Sequence, residues 1–343
     1  MGLNANYLIS SASALSQRDD LPWEVFDHAS VVITGSTGLI GSQFVRVLLS
    51  RNDQFDSGIS LILPVRNRDK AVSFFGNRAE IEYIDWNLNE SLSLQKKIDF
   101  FIHAACDTSS NRFLNNPVEI LFSIVDGVKH TLQAALDSSA KKYLFLSTME
   151  IYGEISDAVT EKDFGNLDPM VIRNSYPEAK RLAECLCASY ASEYELQTII
   201  LRLAQTFGQG VSEDDNRVFA EFGRHAIAGE DIVLYSDGTK KNMYLSVDDA
   251  IAAIIFGLAK GKSGNAYNVA NEATYCSINE MGNLVLEEFG KKGAVVRREF
   301  NQEREASFRK SSNLALDCSK MKALGWEARD SLTSMYDLML KCW

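Results

Sequence analysis

The sequence predicts an α/β fold, a doubly wound parallel sheet with a smaller C-terminal lobe, on three observations. Glycines at three-residue spacing, Gly35, Gly38 and Gly41, stand between an apolar run and an amphipathic one. Short apolar segments then alternate with segments of helical period as far as Gln205. Beyond that point the alternation breaks into loops and shorter elements. Parallel strands need a crossover between them, most often a helix, so regular strand–helix alternation implies a parallel sheet covered on both faces.

In chain order, residues 1–29 form a polar N-terminal extension in which Asp20-Leu21-Pro22-Trp23, an acid and a proline before an apolar residue, predicts one short docked helix. Val31-Val32-Ile33-Thr34 is the first strand, 35–41 its turn and 42–50 its helix. Further apolar strands are expected at 59–65, 81–84, 100–104, 143–147 and 198–203, with helices at 120–138 and 176–195. Residues 30–205 therefore read as a Rossmann-type domain, with 243–260, centred on a helix at 247–258, packing back on it. The remainder of 206–343, including the turn Ser236-Asp237-Gly238, reads mainly as a substrate-binding lobe.

Composition excludes several partners. With 46% hydrophobic residues in 343 the chain can fill a large core, and its formal net charge of −11 repels nucleic-acid backbones and anionic lipid. Six scattered cysteines, whose one close pair Cys185/Cys187 lacks zinc or redox spacing, fit buried thiols in a reducing compartment. No run of about 18 apolar residues and no basic-then-apolar leader is apparent, so a cytoplasmic location is expected.

A glycine turn between strand and helix allows a backbone to approach a pyrophosphate, which the helix N-terminus meets with unpaired N–H groups and a positive dipole. On its own the motif is weak; its flanking strand and helix give it force. At the end of the next strand, Pro64-Val65-Arg66-Asn67-Arg68 carries no acid to accept a ribose 2′-hydroxyl. Arg66, and Arg68 beside it, suit a 2′-phosphate equally well as solvent, which leaves NAD and NADP both open.

Tyr176 and Lys180, four apart at the start of an expected helix, share one face. A neighbouring ammonium favours phenolate, which suits the tyrosine to take a proton from a hydroxyl. Thr148, after the strand at 143–147, stands where open α/β sheets place their ligands. Each element alone is commonplace, a surface pair or a turn; in this order and combination they form a catalytic constellation.

Together the glycine loop, Asp99 to Ala105, Ser147 to Gly153, Tyr176/Lys180, Arg202 to Gly208 and Tyr235 to Gly238 resemble the extended short-chain dehydrogenase/reductases, the NAD-dependent nucleotide-sugar epimerases and dehydratases, with most in common with the UDP-glucuronate decarboxylase branch. The resemblance spans 31–326. It implies a tightly bound NAD or NADP, held by Gly35, Thr37, Gly38, Leu39, Ile40, Gly41, Arg66, Asn87 and Leu88 at the adenine end, and by Ala104, Ala105, Tyr176 and Lys180. Thr148, Tyr176 and Lys180 become the catalytic triad with Glu150 as an additional acid or base, and Thr148, Met149, Gln205, Arg217 and Asn242 face a nucleotide sugar. It also implies a homodimer formed through two helices per subunit. Gln205 and Ile124 stand where members often carry asparagine, and Asn242 near an expected arginine. Met149 occupies the position of the aspartate of dTDP-glucose-type 4,6-dehydratases; a thioether donates no proton. Decarboxylation or epimerisation through a 4-keto sugar is therefore expected ahead of dehydration. The rivals are an NADPH-dependent ketosugar reductase and a non-catalytic NAD(P) sensor, against which the intact Thr148, Tyr176 and Lys180 speak. His103 reads as a buried strand residue.

Overall fold

The computed structural model describes residues 3–106, 110–155, 157–299 and 313–343. Seven parallel strands form the central sheet: β1 (Ser30–Thr34), β2 (Ser60–Val65), β3 (Ile81–Asp85), β4 (Phe100–His103), β5 (Lys142–Thr148), β7 (Thr198–Leu203) and β11 (Asn265–Val269). Their order is β11-β7-β5-β4-β1-β2-β3, so the winding reverses between β1 and β4. Alternate side chains feed opposite cores, as the period of two demands. Val31, Ile33, Ile102, Leu144 and Leu201 enter one, while Val32, Phe101, Phe145 and Ile200 enter the other. Because both faces are covered, β1, β2, β4, β5 and β7 read as near-continuous apolar runs, and the sequence located them to within a residue or two.

Among the covering helices, α2 (Leu39–Phe55) and α8 (Val247–Lys260) lie on the first face, and α5 (Pro117–Asp137) and α6 (Ser175–Glu193) on the second. Helix α8 packs against β5 and β7. The chain returns to the sheet once more than the sequence indicated, through β11, whose Asn265 and Asn268 interrupt the apolar signal.

The extension is more ordered than the expected lead-in. A 12-residue helix, α1 (Ala5–Ser16), begins at Asn4, whose side chain accepts from Tyr7 N, and lies along α2. Gln43 Nε2 donates to Leu8 O at 3.1 Å and Arg51 Nη1 to Ser16 O at 3.0 Å. The short helix foreseen near Pro22 is one 3₁₀ turn, Trp23–Phe26, whose Phe26 ring lies 5.1 Å from that of Phe100.

In the small lobe, β8 (Gln205–Phe207), β10 (Lys241–Ser246) and β12 (Asn271–Ser277) form a three-stranded sheet. With α7 (Val218–Ala228), α9 (Ile278–Phe289) and the C-terminal helix Leu332–Leu340 it encloses a third core around Phe207, Phe219 and Tyr336. Among the described residues no helix is long and apolar enough to cross a membrane.

Candidate active site

The reversal point between β1 and β4 brings the glycine loop against the end of β4. Gly35 adopts φ +71°, and a Cβ there would stand 2.7 Å from the carbonyl of Ala104 and from Ala105 N. At Gly41 a Cβ would stand 2.3 Å from Gly35 O. Only glycine fits either place. The helix that follows is left open at its start: no side chain caps α2 and its first turn holds no acid. By contrast, α8 and α9 are capped by Ser246 and Ser277 and carry acids in their first turns. Within the loop Ser36 is buried with a hydroxyl that meets no partner among the described residues. A tight cradle, an uncapped helix and an orphaned hydroxyl together fit a pyrophosphate. Thr37, Gly38, Leu39 and Ile40 lie on this rim, half-buried or exposed.

His103 stands behind the cradle as a structural residue. Its Nδ1 lies 2.8 Å from Thr34 Oγ1, which accepts from Ala105 N at 3.4 Å, and burial lowers its pKa to about 3, so the ring is neutral.

At the ends of β2 and β3, Arg66, Asp85, Trp86, Asn87 and Glu90 line a cleft of about 260 Å³. Arg68 is committed elsewhere, forking onto Asp85 at 2.9 and 3.0 Å and donating to Tyr83 O, which removes it as a candidate for a 2′-phosphate. Arg66 is exposed in the cleft. Leu88 packs so closely on α5 that a Cβ at Gly127 would come within 2.7 Å of its Cδ2.

Beyond β5 the chain enters a 3₁₀ turn, Met149–Tyr152, capped by Thr148, whose Oγ1 accepts from Glu150 N at 3.2 Å. Thr148 also stands close enough to the phenol of Tyr176, one residue into α6, to favour its phenolate. Lys180, on the same face and buried, donates to Leu146 O at 2.8 Å, with its Nζ 6.0 Å from the Tyr176 ring centre. The expected lowering of the tyrosine pKa by this ammonium is not what the chain itself provides. Burial raises the phenol well above 10, the Cys106 and Glu150 charges push the same way, and Thr148 and the Arg173 guanidinium oppose them. One of the lysine's three donors ties α6 to β5. Glu150 is held by Arg173, with Nη2 3.0 Å from Oε2 and 3.2 Å from Oε1.

A buried network locks this set from behind. Glu184, one turn after Lys180, accepts from Ser147 at 2.5 Å and from Arg202 Nη2 at 2.7 Å, and Arg202 Nη1 donates to the Tyr152 hydroxyl, which donates to Asn268. A buried ion pair holds only when its remaining donors and acceptors are met, and here β5, α6, β7 and β11 meet them.

The sugar-side residues are less closely joined. Gln205 opens β8 opposite Tyr244, Asn242 faces Cys276 across β10 and β12, and Arg217 precedes α7, where it pairs with Asp215 at 2.5 Å. Met149 is half-buried against the first core.

A family model described as the NAD dependent epimerase/dehydratase family matches residues 31–270. The chain belongs to this family. It is an NAD(P)-dependent enzyme of the nucleotide-sugar epimerase/dehydratase group, and its seven-stranded sheet is the family's Rossmann-type fold. The low-salt glycan biosynthesis protein Agl12 of Haloferax volcanii is 28% identical over 300 residues, 87% of this chain and 93% of that one. UDP-glucuronic acid decarboxylase 4 of Arabidopsis thaliana is 29% identical over 317 residues, 91% of this chain and 68% of the plant protein. Among solved structures, the dTDP-glucose 4,6-dehydratase of Streptomyces venezuelae with NAD bound has a TM-score of 0.74 at 21% identity, covering 91% of this chain and 97% of that one.

Within this family chain, Ile124, at a position where members often carry asparagine, is part of the second core on α5. Sequence reasoning missed Ser36, Glu184 and Arg173. Glu184 had a signal, being one helical turn past Lys180 on the same face; Arg173 had none, because its partners come from distant segments.

Proposed function

We propose that this enzyme oxidises C4 of a nucleotide sugar transiently and uses the resulting ketone for decarboxylation or epimerisation. The observation that carries this reading is the convergence of Thr148, at the carboxyl end of β5, with Tyr176 and the buried Lys180 on one face of α6, the Lys180 Nζ 6.0 Å from the Tyr176 ring centre. NAD(P), when bound, supplies the hydride acceptor for C4 and a positive ring that draws the Tyr176 phenol back towards phenolate. Gly35, Gly38 and Gly41 hold the pyrophosphate against the open start of α2, with Thr37, Leu39 and Ile40 beside it. Asn87, Leu88 and Arg66 take the adenosine, and Ala104, Ala105 and Lys180 lie along the nicotinamide side.

Thr148 orients the C4 hydroxyl and Tyr176 receives its proton. Once C4 is a ketone, the C5 proton is acidic and electrons released by a departing C5 carboxylate have an acceptor, so Glu150, tethered by Arg173, either takes the proton or steers the carboxylate. Met149 donates no proton to a leaving C6 hydroxyl, which places 4,6-dehydration behind these outcomes. Gln205, Arg217 and Asn242 face the nucleotide diphosphate and sugar from the lobe.

Running the reaction in D₂O tests the scheme. The C5 hydrogen of recovered substrate exchanges for deuterium with the native enzyme and not with Glu150→Gln; equal exchange removes the base role, and a 4-keto-6-deoxy product reverses the ranking. Arg66 extends cofactor choice to NADP, which identification of the nucleotide released on denaturation checks: NAD alone, with no affinity for NADP, makes Arg66 a surface residue. Val118 and Phe122 on α5 and Leu182 on α6 are exposed apolar side chains on the two helices expected to pair in a homodimer. Phe122→Asp then yields monomers in light scattering.

A further inference from the structure

Arg173 lies in the 3₁₀ turn Ile172–Asn174, three residues before Tyr176, so a short stretch of backbone fixes it to the catalytic phenol. Its guanidinium carbon is 5.0 Å from the centre of the Phe113 ring, and that ring stacks on Tyr176 at 4.4 Å and 13°. Guanidinium, phenyl and phenol form one pile. A planar cation held on an aromatic face has little freedom left to lose on binding.

Of its terminal nitrogens, Nη2 is engaged by Glu150. The other, Nη1, is shut off from solvent and has no hydrogen-bond partner among the described residues. A buried charged donor left unmade is destabilising, more so than a neutral one, and such a vacancy is characteristic of a position completed by a ligand. The ligand group must accept from a guanidinium and sit close to Glu150 without being driven off by its charge. A carboxylate meets both conditions, since it can accept from Nη1 while Nη2 stays on Glu150 and the cation offsets the repulsion between the two anions.

We propose that Arg173 reads a carboxylate on C5 of the sugar, which makes nucleotide hexuronates the substrate class and Arg173 the residue that selects them. This rests on the reading of Thr148, Glu150 and Tyr176 as the reacting set, which places the sugar's C5 substituent beside Glu150. A hexose offers only a hydroxyl at the same point and gains a weaker, uncharged bond.

Calorimetric titration of the NAD-loaded enzyme with UDP-glucuronate and UDP-glucose, which differ only at C6, tests this. The native enzyme binds the uronate more tightly. In Arg173→Gln that affinity falls by about tenfold or more, the scale of a lost charge-assisted bond, while UDP-glucose binding moves by less than about twofold. Arg173→Lys, which keeps the charge but has no second planar nitrogen to meet Glu150 and the ligand separately, falls between the two. Equal losses for both sugars, or a native preference for UDP-glucose, overturns the assignment of Arg173 and leaves the proposed reaction standing. Absence of binding by either sugar to the native enzyme overturns the proposed reaction and the assignment with it. Thermal midpoint and NAD retention of the two variants verify that each is folded.

Discussion

Around the glycine loop backbone meets backbone: Gly35 against Ala104 and Gly41 against Gly35, at separations that admit no side chain. In the small lobe the contact that fixes an expected sugar-side residue is between side chains, Arg217 with Asp215. The first arrangement is pre-formed and has one state, because close-packed backbone cannot yield by rotation about a side-chain bond. The second is held by partners that a phosphate can replace. The dinucleotide half should therefore answer to substitution through rate and cofactor retention, and the sugar half through affinity for the sugar alone.

Tyr176→Phe carries the largest expected effect. It removes only the phenolic oxygen and keeps the ring stacked on Phe113, so turnover falls by about 10²–10⁴-fold with bound NAD(P) retained. Steady-state rates and absorbance of the purified protein report both; turnover near the native value removes Tyr176 from the reaction. Gly41→Ala comes next. Its Cβ at 2.3 Å from Gly35 O forces the loop apart, at about 1–3 kcal/mol of strain, and the protein should purify with little cofactor and a lower thermal midpoint. Full retention of cofactor breaks the comparison by showing that the loop yields.

Arg217→Ala tests the other half, with KM for the nucleotide sugar raised by about tenfold and cofactor content unchanged. A fall in cofactor content instead would show that the two halves are mechanically joined. The smallest effect is one of pH. Asp248, in the first turn of α8 and near Asp249 and Asp330, has its carboxyl pushed by burial from 3.8 to about 7. The folded state then binds more protons than the unfolded one between these values, so the stability this group contributes is fully present below about pH 4 and is lost as pH rises through about 7. Asp248→Asn should raise the thermal midpoint by roughly a few degrees at pH 8 and leave it unchanged at pH 4. An equal shift at both pH values refutes the titration.

Legibility in the sequence followed the same division. Strands buried on both faces advertise themselves, and glycines that touch backbone cannot be replaced by other residues, so β1, its loop and β4 could be read directly. β11 escaped because Asn268 is buried for a hydrogen bond and not for its hydrophobicity. Helix α1 escaped because its serines favour caps and turns over helix interiors, and its stability comes from α2. Arg68 looked like a cofactor residue until the fold brought Asp85 to it from the neighbouring strand. Arg173 could not be read at all, since its position is set by stacking on Phe113, sixty residues earlier.

The Glu184–Arg202 pair, with Ser147, Tyr152 and Asn268 around it, bears on how the molecule opens. Partial opening of any one of the elements it joins would strand a charge in an apolar interior, so those segments separate together or not at all. Amide hydrogens of β5, β7 and the start of α6 should exchange with solvent only at the rate of global unfolding, whereas those of the small lobe exchange through cheaper local excursions. On the proposed reading, the reacting groups would sit on the slowest-breathing part of the protein, and motion that admits the sugar would be left to the small lobe.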